Sequence, residues 1–514
     1  MVKDEVVLIY PGPNSFFLRG IHFNDLTNRV VYGISKHLPK RKRRAEVPLG
    51  ILYVGTTLKE AGFKPIIIDG RYHNIRQMVR ESINDKTLFV GISSMTSYQI
   101  VFGLKTAELV RKIDPGIPIV WGGMHPTVLP EETLRTSEFA DIVCRKEGEV
   151  TVPELAKALQ RGDSLEAIDG ISYKHNGTVI HNRDRQILDF DKLAMPDYDL
   201  LDRSIYDFSY ISYQGSRGCP HRCKFCEVGP IHNRVYRARS AENVVNDLEK
   251  IVKKYGTREI NFLDENVFVN LDRARKFANE ILKRDLKFEW RAFCRADYFR
   301  RTDVDFWKLM KRAGCSVVNM GGESGSQKTL DYICKDYMVS DLVNSASQLE
   351  EAQLDNSFSF ICGFPDETRE DMQKTIDMVD RMVKDYKRLN IFEILTYMPL
   401  PMSAFYEEVR KRGCKFPERL ESWGSFLWGG KAFSRWHPEH EYIFRLTLAS
   451  KWTKRIPARK ILRPLLKLDL ALSLMYFCGY ISYFRWKNKF FKFPVDIYIQ
   501  YWLNKYIFKS LWQR

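Results

Sequence analysis

The first part of the chain alternates short apolar runs with longer segments of helical periodicity. Val6–Tyr10, Leu88–Ser93 and Ile119–Gly122 are such runs, and Tyr98–Ile113 is one of the helical segments between them. Short runs that are apolar throughout are typical of parallel strands buried on both faces. The pattern predicts a doubly wound, flavodoxin-like α/β sheet of about five strands, with its ligand at the carboxyl ends of the strands.

The same alternation returns in the second half of the chain. The strand-like runs there are Tyr210–Tyr213, Glu259–Leu263, Phe288–Cys294, Ser316–Gly321, Ser357–Ile361 and Ile391–Tyr397. Helical segments separate them, which gives about six βα units of the kind that build parallel barrels. In such barrels the active site lies at the carboxyl ends of the strands.

Four regions follow from these patterns. The first domain takes residues 1–160 and the second takes residues 210–405. Residues 161–209 between them are predicted to form a linker with a hairpin, because Asn176-Gly177 separates two strand-like runs. Residues 406–514 are predicted to be an α-helical region that is rich in aromatic and basic residues.

Three cysteines follow the first strand-like run of the second domain. Cys219, Cys223 and Cys226 have the spacing C-x3-C-x2-C, and the other seven of the ten cysteines are scattered singly. Scattered cysteines indicate a reducing cytoplasm rather than a disulfide framework. A closed structural metal site requires four ligands, whereas three thiolates on a four-iron cluster leave one iron without a protein ligand. The alternative is a zinc site with His221 or His232 as the fourth ligand.

This loop resembles the signature of the radical S-adenosylmethionine (SAM) superfamily, in which an aromatic residue such as Phe225 precedes the third cysteine. The resemblance implies a partial (βα)6 barrel and a [4Fe-4S] cluster on the three cysteines, with SAM chelated at the open iron. It also implies SAM contacts at later strand ends. They are Phe225, the Gly-Gly-Glu motif with its following serine (Gly321, Gly322, Glu323, Ser324), Ile361 and Gly363.

The strand ends of the first domain carry glycines and hydroxyl side chains. Segments such as Pro48–Tyr53, Trp121–Pro126 and Lys146–Glu149 resemble the cobalamin-binding domain of cobalamin-dependent radical SAM enzymes. The resemblance implies that cobalamin binds there without a histidine ligand, since no Asp-x-His-x-x-Gly motif is present. A sheet kept only for packing is the alternative. The predicted contacts are Pro11, Asn14, Ser93, Ser94, Met95, Thr96, Gly122, Gly123, His125 and Pro126.

Two further groups are candidates at the barrel strand ends. Asp264-Glu265-Asn266 is a candidate to contact SAM or substrate, or else to cap the next helix. Arg295 is a candidate for the SAM carboxylate or a substrate acid, or else for a surface salt bridge.

The net charge of +17 is concentrated at the carboxyl-terminal end of the sequence. Residues 451–514 hold fourteen Lys or Arg and two Asp, which gives +12, interleaved with aromatic residues. That mixture predicts peripheral binding to an anionic membrane surface, with RNA stacking or packing on the protein itself as alternatives. The basic run 40–44 is predicted to be a solvated loop, with contact to an anionic ligand or lipid as the alternative. His437 and His440 are predicted to be a solvated pair, with metal binding as the alternative. Aromatic residues of 415–445 are predicted to cap the barrel mouth.

These observations predict a cytoplasmic, cobalamin-dependent radical SAM enzyme that methylates an unactivated carbon of a hydrophobic substrate, a lipid or a tetrapyrrole. An electron donor for the cluster is implied, and nucleic acid is not expected as a partner. One alternative keeps the cofactors but makes a cyclase or oxidoreductase of the tetrapyrrole or lipid ring-forming type. The sequence also admits an RNA-modifying radical SAM enzyme and a non-enzymatic zinc-binding module.

Overall fold

The computed structural model describes residues 2–12, 46–426, 437–439 and 442–443. Several of the sequence predictions lie outside the described residues. They are the Asn14 contact, the loop at 40–44, the aromatic residues Trp428 and Trp436, the partner His440 and the tail from 451.

A seven-stranded sheet forms the first domain, in the order β2-β1-β3-β4-β5-β6-β7. The strands are β1 (Glu5–Tyr10), β2 (Lys64–Asp69), β3 (Thr87–Ser93), β4 (Ile119–Gly122), β5 (Ile142–Cys144), β6 (Ile171–His175) and β7 (Thr178–His181). The first five are parallel, and their order is the flavodoxin-like one. The helices are α1 (Leu49–Glu60), α2 (Ile75–Ser82), α3 (Tyr98–Ile113), α4 (Met124–Val128), α5 (Pro130–Thr136) and α6 (Gly148–Arg161).

The middle of the parallel sheet is buried on both faces, which explains the continuous apolar runs of its central strands. Val6 and Leu8 of β1 belong to one hydrophobic cluster, while Val7 and Ile9 belong to a second cluster on the opposite face. The hairpin β6–β7 is antiparallel, as the Asn176-Gly177 turn predicts. However, β6 also pairs with β5, so the hairpin extends the first sheet rather than standing apart in a linker.

Six parallel strands form the second domain, in the order β15-β14-β13-β12-β11-β8. They are β8 (Tyr210–Tyr213), β11 (Glu259–Phe262), β12 (Glu289–Cys294), β13 (Cys315–Glu323), β14 (Asp355–Cys362) and β15 (Leu389–Thr396). A short antiparallel ribbon, β9 (Ser216–Arg217) with β10 (Arg237–Ala238), lies beside them. The helices are α7 (Val228–Ile231), α8 (Ala241–Tyr255), α9 (Leu271–Lys283), α10 (Val304–Arg312), α11 (Gln327–Tyr332), α12 (Val339–Glu351), α13 (Arg369–Asp385) and α14 (Ala404–Lys411). The predicted partial (βα)6 barrel is confirmed.

Side chains on these strands alternate between the helix layer and the barrel interior. On β12, Trp290, Ala292 and Cys294 are buried, and Trp290 packs against Phe277 of α9. Phe293, between two of these residues, is 45% exposed. Because successive side chains point to opposite faces of a strand, Phe293 faces the open barrel interior.

The segment after the barrel returns to the first domain. Helix α15 (Leu420–Phe426) packs against α3 and α5. Trp423 is fully buried there and donates its indole N–H to Glu132 Oε1 at 2.6 Å. This part of the predicted cap therefore covers the first domain and not the barrel mouth. Within the described ranges, no helix has the length and apolar character that a membrane span requires.

Candidate active site

The cysteine loop follows β8, and its three cysteines lie between β9 and β10. Asp264 holds its start, accepting hydrogen bonds from the Gly215 backbone N–H at 2.8 Å and from the Ser216 hydroxyl at 2.5 Å. Gly218, with φ +79°, follows; a Cβ there would lie 2.2 Å from the carbonyl oxygen of Val235. Burial raises the pKa of the Asp264 carboxyl to about 6. Asp264 thus anchors the loop, while Asn270 supplies the helix cap that the sequence offered as the role of 264–266.

Three half-buried thiols are presented by this loop, and none is in a disulfide. Three thiols on one loop fit a cluster, in which each thiolate binds a different iron. Among the residues that the structure describes, no three His, Cys, Asp or Glu side chains form a group that fits one metal ion. The two histidines of the zinc alternative have partners of their own. His221 Nε2 lies 2.8 Å from the Tyr298 hydroxyl, and His232 Nδ1 lies 3.2 Å from Arg237.

Arg295 reaches the cysteine loop from the end of β12. Its guanidinium Nη1 donates to Cys223 Sγ at 3.4 Å, and its Nε donates to Asp297 Oδ1 at 2.9 Å. The residue is buried, which excludes the surface salt bridge suggested from the sequence. The structure gives Arg295 a sulfur partner that the sequence did not predict.

The Gly-Gly-Glu motif ends β13 beside this loop. A Cβ on Gly322 would lie 2.7 Å from the ring of Phe360, so the motif needs glycine at that position. The Glu323 carboxylate is buried and accepts a hydrogen bond from Lys335 Nζ at 2.6 Å. The Lys335 ammonium lies 5.6 Å from the centroid of the Phe225 ring. Lys335 was missed from the sequence because it stands alone in a loop after α11 and belongs to no motif.

The end of β14 is held by a buried carboxyl. The backbone N–H of Gly363 donates to Glu367 Oε2 at 2.5 Å, and burial raises the pKa of Glu367 to about 8. His437 donates from Nε2 to the carbonyl oxygen of Phe364 at 3.0 Å and is buried. The sequence prediction of a solvated His437 is therefore wrong. This histidine fixes the turn that follows the predicted SAM contacts Ile361 and Gly363.

A cavity of about 410 Å³ lies between the two domains, where the carboxyl edges of both sheets meet. From the first domain, Ser93, Gly122 and Gly123 line it, together with Gly50 on α1. A Cβ on Gly50 would meet nothing within 4 Å and would project into free space. The deeper wall between the sheet and α1 is apolar and includes Leu8, Phe89, Val120 and Val152. The glycines and the apolar wall suit a ligand with an apolar portion, as the predicted corrinoid site requires.

The barrel side of this cavity is polar. Its lining residues are Gln214, Arg217, His232, Leu263 and Glu265. Burial raises the pKa of the Glu265 carboxyl to about 7, and its Oε2 atom is buried without a hydrogen-bond partner. An unpaired buried carboxyl oxygen that lines a cavity is suited to accept a hydrogen bond from a ligand.

The other predicted cobalamin contacts do not reach this cavity. Among the described residues, Pro11, Ser94, Met95, Thr96, His125 and Pro126 are absent from its lining. His125 is fully buried, with Nδ1 at 3.1 Å from the Thr96 hydroxyl and its ring edge-on to Trp423. It lies where α4 begins, which the sequence motif Gly-Gly-Met-His-Pro did not reveal.

A buried ion pair joins the cavity wall to the cysteine loop. Arg217, two residues before Cys219, binds Glu149 Oε1 at 2.6 Å and lies 3.5 Å from Glu147. Its guanidinium is 4.8 Å from the ring centroid of Tyr53. We call Arg217, Glu147 and Glu149 the domain seam.

Comparisons with known proteins identify both domains. A family model described as Radical SAM superfamily matches residues 213–379, and one described as B12 binding domain matches residues 45–156. An uncharacterised methyltransferase of Pyrococcus horikoshii is 33% identical over 353 residues, which cover 67% of this chain and 75% of that protein. The chain belongs to the cobalamin-binding radical SAM family.

Other members of this family and its fold span much of the chain. Anaerobic magnesium-protoporphyrin IX monomethyl ester cyclase of Rubrivivax gelatinosus is 26% identical over 375 residues, covering 70% of this chain and 66% of that one. The radical SAM methyltransferase TsrM of Kitasatospora setae, solved with cobalamin and a [4Fe-4S] cluster, aligns with a TM-score of 0.63 at 16% identity. That alignment covers 80% of this chain and 76% of TsrM, and it shows a shared fold.

This family membership confirms several predictions from the sequence. The protein is a radical SAM enzyme of the kind that includes methyltransferases and cyclases. The predicted cofactors, a [4Fe-4S] cluster, SAM and cobalamin, are confirmed as those of the matched domains.

Proposed function

We propose that this enzyme methylates an unactivated carbon of a hydrophobic substrate, a lipid or a tetrapyrrole. The observation that carries the proposal is the shared cavity, whose lining comes from the carboxyl edges of both sheets. When bound, SAM with the cluster supplies a radical that removes a substrate hydrogen atom, and cobalamin supplies a methyl group. A common cavity supports this chemistry because both groups must reach one carbon.

The residues that would hold the cofactors follow from the site. Cys219, Cys223 and Cys226 are the proposed cluster ligands, and the SAM contacts are proposed at Phe225, Gly321 to Ser324, Ile361 and Gly363. Ser93, Gly122 and Gly123 are proposed for cobalamin, with Gln214 and Glu265 from the barrel side. Among the described residues of the first domain no histidine lines the cavity, whereas His232 lines it from the barrel side.

Apolar side chains at the barrel opening support a hydrophobic substrate. Phe293 is 45% exposed, and Val235 in the loop that packs on Gly218 is 43% exposed. Leu263 adds apolar surface at the cavity wall. Exposing such side chains to water is unfavourable, so an apolar ligand that covers them would gain binding free energy. The peripheral membrane association that would bring a lipid to this opening remains a prediction, since the tail lies outside the described residues.

The test uses anaerobically reconstituted enzyme with cobalamin, reductant, methyl-labelled SAM and a lipid and pigment extract. Mass spectrometry follows 5′-deoxyadenosine and labelled product. We expect both, and we expect loss of both in Cys223→Ala. Cys414→Ala, which removes a buried thiol outside the loop, is the matched control and should retain activity. Deoxyadenosine without label in any extract fraction would contradict methylation.

That contrary result would favour a cyclase or oxidoreductase, which uses the same radical step without methyl transfer. The resemblance to the magnesium-protoporphyrin cyclase supports this second candidate. Incubation with a tetrapyrrole ester and unlabelled SAM would then show loss of hydrogen and a new ring in the product mass. The RNA-modifying hypothesis depends on the tail outside the described residues and stays a prediction from sequence.

A further inference from the structure

We infer that Arg295 is a positioning residue that raises the reduction potential of the cluster through its hydrogen bond to Cys223. The inference rests on the proposed cluster ligands. Its geometric basis is the contact of 3.4 Å between Nη1 and Cys223 Sγ. Cys223 is thus the cysteine of the loop that has a cationic side-chain donor.

All three nitrogen atoms of the Arg295 guanidinium donate hydrogen bonds. Nε donates to Asp297 Oδ1 at 2.9 Å, and Nη2 donates to the carbonyl oxygen of Lys335. The side chain is 8% exposed, and its Cζ lies 5.6 Å from the ring centroid of Tyr337. A planar guanidinium held in this way presents its remaining N–H in one direction. The donor to sulfur is therefore preorganised rather than recruited from solvent.

The same segment is tied to the cysteine loop a second time. Arg295 directly precedes the single-turn helix Ala296–Arg300, and Tyr298 of that turn contacts His221 Nε2 at 2.8 Å. Both contacts are made to the segment from Cys219 to Cys223. Together they hold the end of β12 beside the cysteine loop and keep the Arg295 guanidinium near Cys223.

Reduction adds one electron to the cluster and no proton, so its negative charge increases by one. A fixed N–H donor and a buried cation stabilise the more negative state more strongly, which raises the potential. The Asp297 carboxylate, on the Nε side, partly cancels the charge of Arg295. Removing the arginine and removing the aspartate charge should therefore shift the potential in opposite directions.

The test is a redox titration of reconstituted enzyme with dithionite and mediators, followed by electron paramagnetic resonance. In Arg295→Gln we expect the ratio of reduced to oxidised cluster at a fixed potential to fall about tenfold, equal to ~59 mV for one electron. In Asp297→Asn the ratio should rise. Arg295→Lys keeps the positive charge but not the planar guanidinium. Its ratio of reduced to oxidised cluster should therefore lie between those of wild type and Arg295→Gln. Arg291→Gln removes an arginine from the same strand and should leave the ratio unchanged.

The iron and sulfide content of each variant distinguishes loss of the cluster from a change in its reduction potential. An unchanged ratio in cluster-loaded Arg295→Gln, or a shift of the same sign in Asp297→Asn, would overturn the inference. If Arg295→Gln loses its cluster, the other two variants test the inference. It then requires a lower ratio of reduced to oxidised cluster than in wild type for Arg295→Lys and a higher ratio for Asp297→Asn. The absence of these shifts would refute the inference. A Cys223→Ala variant that keeps a normal cluster would instead show that the proposed ligands are wrong.

Discussion

The domain seam provides a test of how strongly the two cofactor sites are held together. Glu149→Gln removes one charge from a buried ion pair while it keeps the size of the side chain. The side chains of Arg217 and Glu149 are 8% and 4% exposed, and their contact distance is 2.6 Å. The guanidinium also packs against the aromatic rings of Tyr53 and Phe190, at 4.8 and 4.6 Å from their centroids. The change therefore leaves a cation buried where water has little access.

The expected cost follows from this burial. Removing one partner of a buried pair costs about 3–5 kcal/mol, because the remaining charge is left uncompensated. Glu147 stays 3.5 Å from Arg217 and offsets part of that cost. We therefore expect the lower end, about 3 kcal/mol. Replacing both partners, in Glu149→Leu with Arg217→Met, should cost less than either single change.

Hydrogen exchange of the segment 215–226 in reconstituted enzyme measures the local opening. A loss of about 3 kcal/mol corresponds to exchange roughly a hundredfold faster. Glu108→Gln is the matched control, since its pair with Lys112 is exposed at 47% and 70% and such pairs contribute about 0–1 kcal/mol. Exchange in Glu149→Gln within a factor of about three of wild type would refute the argument, because it would mean a cost near the surface-pair range.

Three further changes test other parts of the structure. Trp423→Ala should destabilise the contact of α15 with the first domain by about 3–5 kcal/mol, measured as faster proteolysis within 420–426. Trp423→Phe should cost less, and equal effects would contradict the packing argument. Burial lowers the pKa of His125 from 6.5 to about 3. Between these pH values the unfolded chain binds a proton at His125 and the folded protein does not. The free energy of unfolding therefore falls as the pH drops from 6.5 toward 3, by at most about 1.4 kcal/mol per pH unit. The thermal midpoint of His125→Gln between pH 5 and 8 should depend less on pH than that of wild type, and identical slopes would refute this. Gly322→Ala should weaken SAM binding, measured by calorimetry, because its Cβ would lie 2.7 Å from Phe360; unchanged affinity would argue against the proposed SAM contact.

The strand pattern was predictable because burial on both faces leaves a continuous apolar signal. Val6 to Ile9 are all buried, and their sequence contains no polar residue. The cysteine loop was predictable for a related reason, since its residues are close together in the chain. In both cases the information lies within one short segment.

The partners of the site residues were not predictable because they come from distant segments. Arg295 and Cys223 are 72 positions apart, and Trp423 and Glu132 are 291 positions apart. A single arginine or lysine has no periodicity, so its partner depends on which strand ends the fold brings together. For His125, the local sequence suggested the wrong surroundings. Its place after two glycines suggested a ligand-facing loop, but α4 begins there and the ring packs on Trp423.

In the proposed reaction, the domain seam would help a two-domain enzyme to hold two cofactors at one carbon. Hydrogen removal and methyl delivery would require reacting atoms about 3–3.5 Å apart, so a small relative shift of the domains would separate the two steps. Arg217 is two residues from Cys219, while Glu147 and Glu149 line the cavity at the start of α6. A buried ion pair contributes little net stability against an apolar contact, but its directional geometry permits one arrangement. We therefore expect the seam to fix the position of the cysteine loop relative to the carboxyl edge of the first sheet more than to add stability.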